Sequence, residues 1–405
     1  MTPGRQLELL TQTAVDVERP EELLDKLRRG RPLRVKAGFD PSAPDLHLGH
    51  SIPMDVLKLF QDLGHTVVFI VGDFTARIGD PSGKLKSRPV LTDAEIEAHA
   101  QTYFEQVGHI LDVDKAEVRS NSEWLEGLDF AGVLRLSGSY TVARMLERDT
   151  FAQRTAADEP ITITEMLYPL AQGYDSVAIE ADVEIGGTDQ LFNLLVARDV
   201  QRHYGQEPEV IMTFPLLVGL DGVEKMSSSL GNTVALTDPP AEMYGKLMSI
   251  NDEVMLDYYR LLLKPPEIEI EDMRSRIEAR EVNPRDIKAR LALQVTTRYH
   301  GEEAAQAAQK EFDQVFAQGR LPSEMPEVAV GPDDLAQGGI LLSRLITRAG
   351  LATSGSQARR LIEQGAVRLD DERITDPWAA VDPKSGAVLR VGRRRFARIV
   401  RREEP

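Results

Sequence analysis

Two short stretches of this chain combine residue types and spacings that suit a phosphate group. The first is HLGH, at residues 47–50, which follows a turn-rich segment. At the start of a helix, His47 and His50 would share one face of the first turn, beside unpaired backbone N–H groups and the positive end of the helix dipole. Gly49 would let a flat ring approach the backbone. A helix-capping histidine and a metal pair are the alternatives, although no third ligand follows nearby in the sequence.

The second stretch is KMSSS, at residues 225–229, in a loop. Lys225 and the three serine hydroxyls form a flexible cluster of donors that suits a polyphosphate. On its own, such a stretch is more often an exposed polar loop. The lysine follows the first histidine of HLGH by 178 residues, and the two stretches flank an alternation of strands and helices. Together they predict one nucleotide site built from both.

The sequence around these stretches predicts the elements that would position them. Apolar, β-branched runs at 34–40, 66–73, 116–121 and 209–214 have the length of buried strands, and a further strand is predicted near 177–180. Helical patterns separate these runs. Strands that alternate with helices are typical of βαβ units, so the predicted fold class is α/β with a parallel sheet.

Capping residues predict where helices begin. Asp45 is the predicted N-cap of the helix that carries HLGH, and Thr92 with Glu95 forms a capping box that opens another helix. Further helices are predicted near 162–174 and 188–204.

The chain divides into three predicted domains. Residues 1–235 form the α/β part, in which residues 1–33 look helical, and residues 236–325 are charged and helix-periodic, which indicates a helical domain. The run 319–334 has the proline and glycine content of a linker. Residues 340–405 predict two short helices and then short strands, which together make a small α+β domain.

Charge is distributed unevenly along the chain. The net charge is −17, yet residues 341–405 hold 14 Lys and Arg against 8 Asp and Glu, a net of +6, which leaves −23 for the other residues. A basic end domain on an acidic body is typical of a nucleic-acid contact, although a solvated basic surface would look the same. The arginines of interest here are Arg359, Arg360, Arg390, Arg393, Arg394, Arg395, Arg398, Arg401 and Arg402.

The composition also excludes some classes of protein. The 405 residues include no cysteine, which excludes disulfides, thiolate catalysis and a cysteine-ligated zinc site. The apolar run VVFIV at 67–71 is far too short to cross a bilayer, and the N-terminus lacks the layout of a secretion signal. We therefore expect a cytoplasmic enzyme.

The two signatures and their surroundings resemble a known family. Class I aminoacyl-tRNA synthetases carry the motifs HIGH and KMSKS. Four segments are similar to bacterial tyrosyl-tRNA synthetases of a second bacterial subfamily: GFDPSAPDLHLGH at 38–50, IGDPSGK at 78–84, YPLAQGYDS at 168–176 and GGTDQLFN at 186–193. The resemblance spans nearly the whole chain. It implies a Rossmann-like catalytic domain, a helical anticodon-binding domain and a ribosomal protein S4-like (alpha-L) RNA-binding domain.

The resemblance also implies a reaction. The family joins tyrosine to ATP, which gives tyrosyl-adenylate and pyrophosphate, and then moves the tyrosyl group to the 3′ end of its tRNA. The nucleophile of the first step is the ionised carboxylate of the substrate, so the enzyme must align the reactants and stabilise charge on the phosphates. The resemblance further implies that Mg²⁺ accompanies ATP without a metal site in the protein itself, and that the chain forms a homodimer.

The resemblance implies roles for the residues that match the motifs of the family. Those implied to act on the phosphates are His47, His50, Lys84, Arg88 and Lys225. Those implied to bind ATP are Asp40, Ser42, Gly49, Gly187, Asp189, Lys225, Met226, Ser227, Ser228 and Ser229. Those implied to bind tyrosine are Gly38, Asp80, Asn121, Tyr168, Gln172, Asp175 and Gln190. Those implied to bind tRNA are Arg359, Arg360, Arg393, Arg394 and Arg395.

Within the tyrosine set, Asp175 is expected to accept a hydrogen bond from the phenol hydroxyl, and Tyr168, Gln172 and Asp80 to hold the α-ammonium group. Two positions depart from the family pattern. Many bacterial members have a tyrosine two residues before GFD, whose hydroxyl helps to hold the phenol, and here this residue is Lys36. The other departure is the second serine of KMSSS, which stands where KMSKS has a second lysine.

Three other functions fit parts of the sequence. Tryptophanyl-tRNA synthetases share the fold and the signatures, but Asp175, Tyr168 and Gln172 favour a phenol over an indole. A non-catalytic RNA-binding paralogue would not need HLGH and Lys225 to be intact. A nucleotidyltransferase with a similar histidine signature would not need the helical domain or the basic end of the chain.

Overall fold

Two compact units make up the chain in this computed structural model. They comprise residues 1–309 and residues 310–405. The structure describes residues 1–81, 91–317, 325–335, 339–392 and 395–401. None of the helices in these ranges is long and apolar enough to span a membrane.

The first unit is built on a six-stranded sheet. Its strands are β1 (Asp16–Glu18), β2 (Arg34–Phe39), β3 (Thr66–Val71), β4 (Ala116–Ser120), β5 (Val183–Gly187) and β6 (Val210–Phe214). Their order is β1-β6-β5-β2-β3-β4, and all neighbours are parallel except β1 and β6. The α/β class is therefore confirmed, as are four of the predicted strands. Strand β1 lies within the N-terminal residues that were predicted to be helical, so that prediction is wrong there.

Helices cover the sheet and connect its strands. They are α1 (Pro3–Thr11), α2 (Pro20–Arg28), α3 (Leu48–Asp62), α4 (Thr75–Ile78), α5 (Asp93–Gln106), α6 (Ser122–Leu125), α7 (Phe130–Ser137), α8 (Val142–Met145), α9 (Asp149–Ala156), α10 (Ile163–Ala178) and α11 (Leu191–His203). The capping box of α5 is confirmed, because Thr92 N donates to Glu95 Oε2 at 2.8 Å and Glu95 N donates to Thr92 Oγ1 at 3.3 Å.

Two local predictions are wrong. The N-cap of α3 is His47 and not Asp45, whose carboxylate instead accepts a hydrogen bond of 2.6 Å from Thr237 Oγ1. The strand predicted near 177–180 is the end of α10 and the turn that follows it. Glu180 has a left-handed φ of 51°, which reverses the chain into β5. Ile179 packs on the sheet, so the turn has the apolar character of a strand.

The winding of the sheet reverses between β2 and β5. From β2 the chain moves outward through β3 to β4, and it then crosses to β5 and moves in the other direction to β6. Ligands of such sheets bind in the crevice outside the carboxyl ends of the strands at this reversal. Strand β2 ends at Phe39 and β5 ends at Gly187, so the crevice lies where the sequence places many predicted site residues.

The rest of the first unit is helical, as predicted. Its helices are α12 (Pro240–Leu247), α13 (Asp252–Tyr258), α14 (Glu267–Glu278), α15 (Pro284–His300) and α16 (Glu302–Ala317), the last of which crosses the boundary between the units. This part is connected to the HLGH helix by ion pairs. Asp55 of α3 pairs with Arg298 of α15 and, at 3.0 Å, with Lys264.

The second unit packs two helices, α17 (Leu342–Arg348) and α18 (Gly355–Glu363), against small sheets. Its strands are β7 (Glu327–Val330), β8 (Ile340–Leu341), β9 (Val367–Leu369), β10 (Glu372–Ile374), β11 (Ala380–Val381), β12 (Val388–Val391) and β13 (Arg395–Arg401). The five-stranded sheet has the order β10-β9-β12-β13-β7, and β8 pairs with β11. Because β7 pairs in parallel with β13, the prediction of a linker is wrong for residues 327–330.

Candidate active site

Backbone hydrogen bonds join the two signature stretches. Leu48 N donates to Val234 O at 2.9 Å, and Leu236 N donates to Leu46 O at 2.8 Å. The chain that leaves KMSSS is thereby fixed to the start of α3, where HLGH begins. Both stretches line one cavity outside the carboxyl ends of the strands.

The two histidines of HLGH stack on each other. Their ring centroids are 3.7 Å apart with 18° between the planes, and His50 Nδ1 accepts a hydrogen bond of 3.2 Å from His47 N. A Cβ atom at Gly49 would lie 3.0 Å from the His47 ring, so this packing favours a glycine. Burial, the neighbouring His50 and Lys225 hold the pKa of His47 well below its usual range, and burial with Lys225 lowers the pKa of His50 to about 4. At neutral pH both rings therefore offer N–H donors without charge.

The KMSSS loop carries its lysine across the cavity to the end of β5. Lys225 forms an ion pair with Asp189, and Met226 N donates to Leu217 O at 2.7 Å. The hydroxyl of Ser229 lies 3.0 Å from that of Ser227. Among the predicted loop donors, Ser227 and Ser228 line the cavity and Ser229 does not.

A buried asparagine that follows the loop fixes its backbone. Asn232 Oδ1 accepts from Ser227 N at 2.8 Å, and Asn232 Nδ2 donates to Lys225 O at 3.1 Å and also to Asp221. A Cβ atom at Gly219 would lie 2.1 Å from Asn232 Nδ2, so a side chain there would displace the amide. The position of the lysine therefore depends on Asn232.

A hydrogen-bond chain runs from the end of β2 into the cavity. Asp40 accepts from Thr75 Oγ1 at 2.8 Å and from Tyr168 OH at 2.9 Å. Its backbone carbonyl accepts from Ser42 N at 2.7 Å. Burial, and then the charge of Asp40, raise the pKa of Tyr168 well above its usual range, so the phenol is a proton donor.

A second carboxylate in the cavity, Asp175, is buried and has two side-chain donors. Trp124 Nε1 donates to Asp175 Oδ1 at 2.8 Å, and Asn121 Nδ2 is 3.4 Å from Asp175 Oδ2. Burial raises the pKa of Asp175 to about 7, although Lys36 and both donors act in the opposite direction. This carboxylate is suited to accept a hydrogen bond from a buried hydroxyl.

Asp80 is a further carboxylate of the cavity. Gln190 Nε2 donates to Asp80 Oδ2 at 2.8 Å, and Arg148 Nη2 lies 3.3 Å from Asp80 Oδ1. Asn193 Nδ2 donates to Gln190 Oε1 at 2.9 Å, which fixes the amide orientation. Asp80 is thus held by Gln190 and Arg148, and Asn193 of α11 supports the glutamine.

One cavity therefore collects most of the predicted site. It is lined by every residue of the predicted tyrosine set and, apart from Ser229, by every residue of the predicted ATP set, and His47, His50 and Lys225 also line it. Lys84 and Arg88 lie outside the described residues. In the described part of the chain, no group of three or more His, Asp or Glu side chains could hold a metal ion.

Comparisons with known proteins identify the family. Residues 28–317 match the family model of tRNA synthetases class I (W and Y), and residues 342–384 match that of the S4 domain. The tyrosine–tRNA ligase of Thermotoga maritima is 52% identical over 98% of both chains, and that of Moorella thermoacetica is 52% identical over 98% of this chain and 96% of the relative. The chain belongs to the tyrosyl-tRNA synthetase family.

Solved structures agree on the fold. The tyrosyl-tRNA synthetase from Archaeoglobus fulgidus, in a complex with L-tyrosine, matches with a TM-score of 0.62 at 24% identity, over 76% of this chain and 99% of that one. That of Aeropyrum pernix matches with a TM-score of 0.62 at 21% identity, over 76% and 98% of the two chains. At this level of identity, the likeness establishes a shared fold.

The structure of this family member adds site residues that the sequence did not indicate. Thr75, Trp124, Arg148, Glu184 and Asn232 each contact a predicted site residue. NSEWL at 121–125 gave a partial signal, because a polar residue directly follows a predicted strand there. Thr75 and Arg148 had no local signal, since their partners Asp40 and Asp80 lie 35 and 68 positions away in the sequence.

The arginines predicted to bind tRNA lie in the second unit. Arg359 and Arg360 are on α18, and Arg395 begins β13, where its Nη1 donates to Leu351 O at 2.5 Å. Arg390 and Arg398 are on β12 and β13. Arg401, expected on an open basic face, pairs instead with Asp382. Arg393 and Arg394, the other two arginines predicted to bind tRNA, lie outside the described residues, as does Arg402 of the wider basic group.

Proposed function

We propose that this chain activates L-tyrosine with ATP, giving tyrosyl-adenylate and pyrophosphate, and then transfers the tyrosyl group to the 3′ end of the tRNA for tyrosine. One observation carries the proposal: a single cavity is lined by the buried carboxylate of Asp175, by the histidines of HLGH and by Lys225. The family of the chain supports the same reaction.

In the first step, a carboxylate oxygen of tyrosine attacks the α-phosphorus of ATP. A new P–O bond forms, the bond between the α-phosphorus and the bridging oxygen breaks, and pyrophosphate leaves with the electron pair. His47 and His50 donate N–H groups to the phosphates, and Lys225 exchanges Asp189 for the phosphates as negative charge grows on them. Lys84 and Arg88 are proposed to contact the pyrophosphate.

ATP is proposed to occupy the carboxyl ends of β2 and β5. Gly49 leaves room for the nucleotide beside the histidines, and Asp189 is available to the ribose hydroxyls once Lys225 has moved. The other proposed contacts are Asp40, Ser42, Gly187, Met226, Ser227, Ser228 and Ser229. ATP brings its own Mg²⁺ to the site as a substrate complex, since magnesium bound to substrate phosphates keeps several waters and needs few protein ligands.

Tyrosine is proposed to place its phenol hydroxyl against Asp175. A site built to hydrogen-bond a hydroxyl rejects an analogue without one, because buried polar groups are then left unpaired, and tyrosyl-tRNA synthetase is the usual example of this rule. Asp80, Tyr168 and Gln172 are proposed to hold the α-ammonium group. Gln172 Oε1 is buried and has no hydrogen-bond partner among the described residues, so it is suited to accept from it. Gly38, Asn121 and Gln190 complete the subsite.

The tRNA is proposed to contact the helical region 236–325 through its anticodon and the C-terminal domain 340–405 through its backbone. The match of residues 342–384 to the S4 domain supports the second contact. Arg359, Arg360, Arg393, Arg394 and Arg395 are the proposed phosphate ligands, which give affinity and salt dependence more than sequence selection.

The chain is also proposed to act as a homodimer through an exposed apolar face. Phe130, Leu134, Val142 and Ile163 are 77%, 58%, 64% and 78% exposed on helices that pack together. Phe130→Asp should convert a dimer to a monomer in analytical ultracentrifugation. Ile268→Asp, at a residue that is 71% exposed on α14, should not. A wild-type chain that sediments as a monomer would contradict the proposal.

Amino-acid-dependent exchange between ATP and pyrophosphate tests the reaction. Exchange with tyrosine and none with the other amino acids is expected. Exchange with tryptophan but not tyrosine would instead assign the chain to the sister enzymes. Tight tRNA binding without exchange for any amino acid would assign it to a non-catalytic RNA-binding role.

Asn232 provides a test of the loop. Asn232→Ala should lower the activation rate by roughly tenfold to a hundredfold, because a misplaced catalytic group loses its orientation, and it should leave the KM for tyrosine nearly unchanged. Gly219→Ala should have a similar effect by displacing the same amide. Gly245→Ala, where a Cβ atom meets nothing within 4 Å, is the matched control. A normal activation rate in both loop variants would disprove the role of the asparagine.

The pKa of Asp175 predicts a pH dependence. A pKa of about 7 means that the carboxylate form is lost as the pH falls through that value, so kcat/KM for tyrosine should rise between about pH 6 and about pH 8 at saturating ATP. His47 and His50 are already neutral in this range. Asp175→Asn should remove the dependence, whereas a profile that is flat in the wild type would show that Asp175 does not control binding.

A further inference from the structure

A buried ammonium group lies beneath the tyrosine subsite. Lys36 is on β2, and its Nζ is 3.0 Å from Glu184 Oε1 on β5 and donates to Gln172 O on α10 at 3.2 Å. Gln172 Nε2 donates to the same Glu184 oxygen at 3.1 Å. One lysine thereby joins two strands of the sheet to the helix that carries Asp175. Lys36 does not itself line the cavity, whereas Gln172, Glu184 and Asp175 do.

The lysine is surrounded by carboxyl groups. Glu209, which is buried beside it, accepts from Ser176 Oγ at 2.9 Å. Burial alone would lower the pKa of Lys36, but the charges of Glu184, Glu209 and Asp175 outweigh it and raise the pKa. Burial and the charge of Glu184 raise the pKa of Glu209 well above its usual range. Within this network, the ion pair of Lys36 is with Glu184.

We propose that Lys36 is a specificity-determining positioning residue for tyrosine. It holds the main chain of Gln172 in place, and it keeps Asp175 available as a charged acceptor for the phenol hydroxyl. This inference rests on the proposed function. It also gives Lys36 a role at the position where many bacterial members of the family have a tyrosine. Lys36 acts on the phenol through Asp175 and needs no hydrogen bond to the phenol.

The charge of Lys36 affects Asp175 because the site has low polarity. The charges that act on Asp175 come from Lys36 on β2, which favours the carboxylate, and from Glu184 on β5, which opposes it. The remaining support comes from the neutral donors Trp124 and Asn121. Without the ammonium, the buried carboxyl would hold its proton at neutral pH and would then no longer reward the substrate hydroxyl.

The test uses Lys36→Met and the double variant Lys36→Met/Glu184→Gln, in which no unpaired buried charge remains. Lys26→Met is the matched control, because Lys26 is equally buried and lies 3.5 Å from Asp182 at the opposite end of β5. The double variant should raise the KM for tyrosine about tenfold or more with a smaller change in kcat, and it should lower the preference for tyrosine over phenylalanine by a similar factor. The midpoint of its pH profile should move upward.

The control should leave all three quantities unchanged. A double variant that folds and keeps the wild-type preference and pH midpoint would overturn the inference, and so would failure of both Lys36 variants to fold, since the role would then be structural. Wild-type chain that shows no tyrosine-dependent exchange would instead defeat the proposed function, so the two failures are distinguishable.

A different observation carries a second proposal, in the second unit. Trp378 is 64% exposed, and the guanidinium of Arg359 lies 4.8 Å from the centre of its ring. The Trp378 backbone N–H donates to Asp376 Oδ1 at 3.0 Å, and Arg359 Nε donates to Gly355 O at 3.3 Å, so both partners are anchored. Both lie within the segment that matches the S4 domain.

We infer that Trp378 and Arg359 form a subsite for one unstacked RNA base with its phosphate. Base stacking on an exposed aromatic ring tolerates any base and adds to phosphate contacts, for which residues 341–405, with a net charge of +6, provide the basic side chains. Arg360, the next residue on α18, carries charge but stacks on no aromatic ring among the described residues, which makes it the natural comparison. The occupant is a nucleobase of the tRNA, and the inference rests on tRNA as the partner.

Intrinsic fluorescence tests this subsite directly, because the chain has two tryptophans. In the full-length Trp124→Phe variant, Trp378 is the sole reporter, and a transcript of the tRNA for tyrosine should quench it on binding. Trp378→Ala should weaken binding about tenfold, Trp378→Phe much less, and Arg360→Ala should weaken binding without loss of quenching. Saturation by tRNA with unchanged fluorescence and an unchanged Kd for Trp378→Ala would overturn the subsite. A wild-type chain that binds no tRNA would instead defeat the proposed partner.

Discussion

Replacing Lys225 by alanine should lower the rate of tyrosine activation by about 10²- to 10³-fold and leave the affinity for tyrosine nearly unchanged. The lysine is on the KMSSS loop, lines the cavity with His47 and His50, and forms an ion pair with Asp189, which follows β5. We therefore propose that its charge acts on the phosphates, where negative charge grows as pyrophosphate leaves.

The size of the effect follows from the surroundings of the lysine. Both histidines are neutral at neutral pH, so among the described residues that line the cavity near HLGH, Lys225 supplies the full positive charge. The serine in place of the second lysine of KMSKS offers a hydroxyl only. An interaction made chiefly in the transition state lowers kcat and kcat/KM together when it is removed.

The measurement is the exchange rate at saturating substrates, together with the equilibrium Kd for tyrosine. Lys115→Ala is a suitable control, since Lys115 forms an exposed pair with Asp112 at 2.6 Å outside the cavity. The assignment would be contradicted by a large loss of tyrosine affinity in Lys225→Ala, or by a wild-type exchange rate.

The α/β body and its two signatures were predictable because their signals are local. A buried parallel strand such as β3 is apolar on both faces, so it reads as a continuous run, and a capping box needs two residues three positions apart. HLGH and KMSSS also carry their chemistry within a few residues. Their placement at one cavity follows from the rule that ligands bind at the reversal of the sheet.

Contacts such as those of Trp124 and Lys36 were not predictable because they depend on partners distant in the sequence. Trp124 and Asp175 are 51 positions apart, and Lys36 lies 136 positions from Gln172. A buried lysine in a strand gives no sign of which carboxylate will neutralise it. The turn at Glu180 was mistaken for a strand for a related reason: its apolar residues face the sheet, and only the left-handed φ separates it from β5.

Removal of the second unit should spare adenylate formation and abolish tRNA charging. The structure indicates the residue at which the chain should be truncated. Strand β7 pairs with β13, so a chain that ends at residue 339 would keep β7 without its partner and expose Val328 and Val330, which are buried in the core of the second unit. A chain that ends after α16, at Ala317, avoids this edge and keeps every described residue of the cavity.

Exchange by this truncated chain should stay within about twofold of the full chain. By contrast, kcat/KM for tRNA should fall by about 10²-fold or more, because the truncation removes the arginines that we propose as phosphate ligands, and the combined effect of such contacts on affinity is large. The double variant Arg359→Ala/Arg360→Ala in the full chain should give an intermediate loss of kcat/KM for tRNA. It should also reduce the salt dependence of tRNA binding by the amount expected for the loss of about two phosphate contacts. Charging by the truncated chain at the full rate would mean that the tRNA does not depend on this unit. An equal loss of exchange and charging would mean that the unit stabilises the catalytic body and has no separate role in RNA binding.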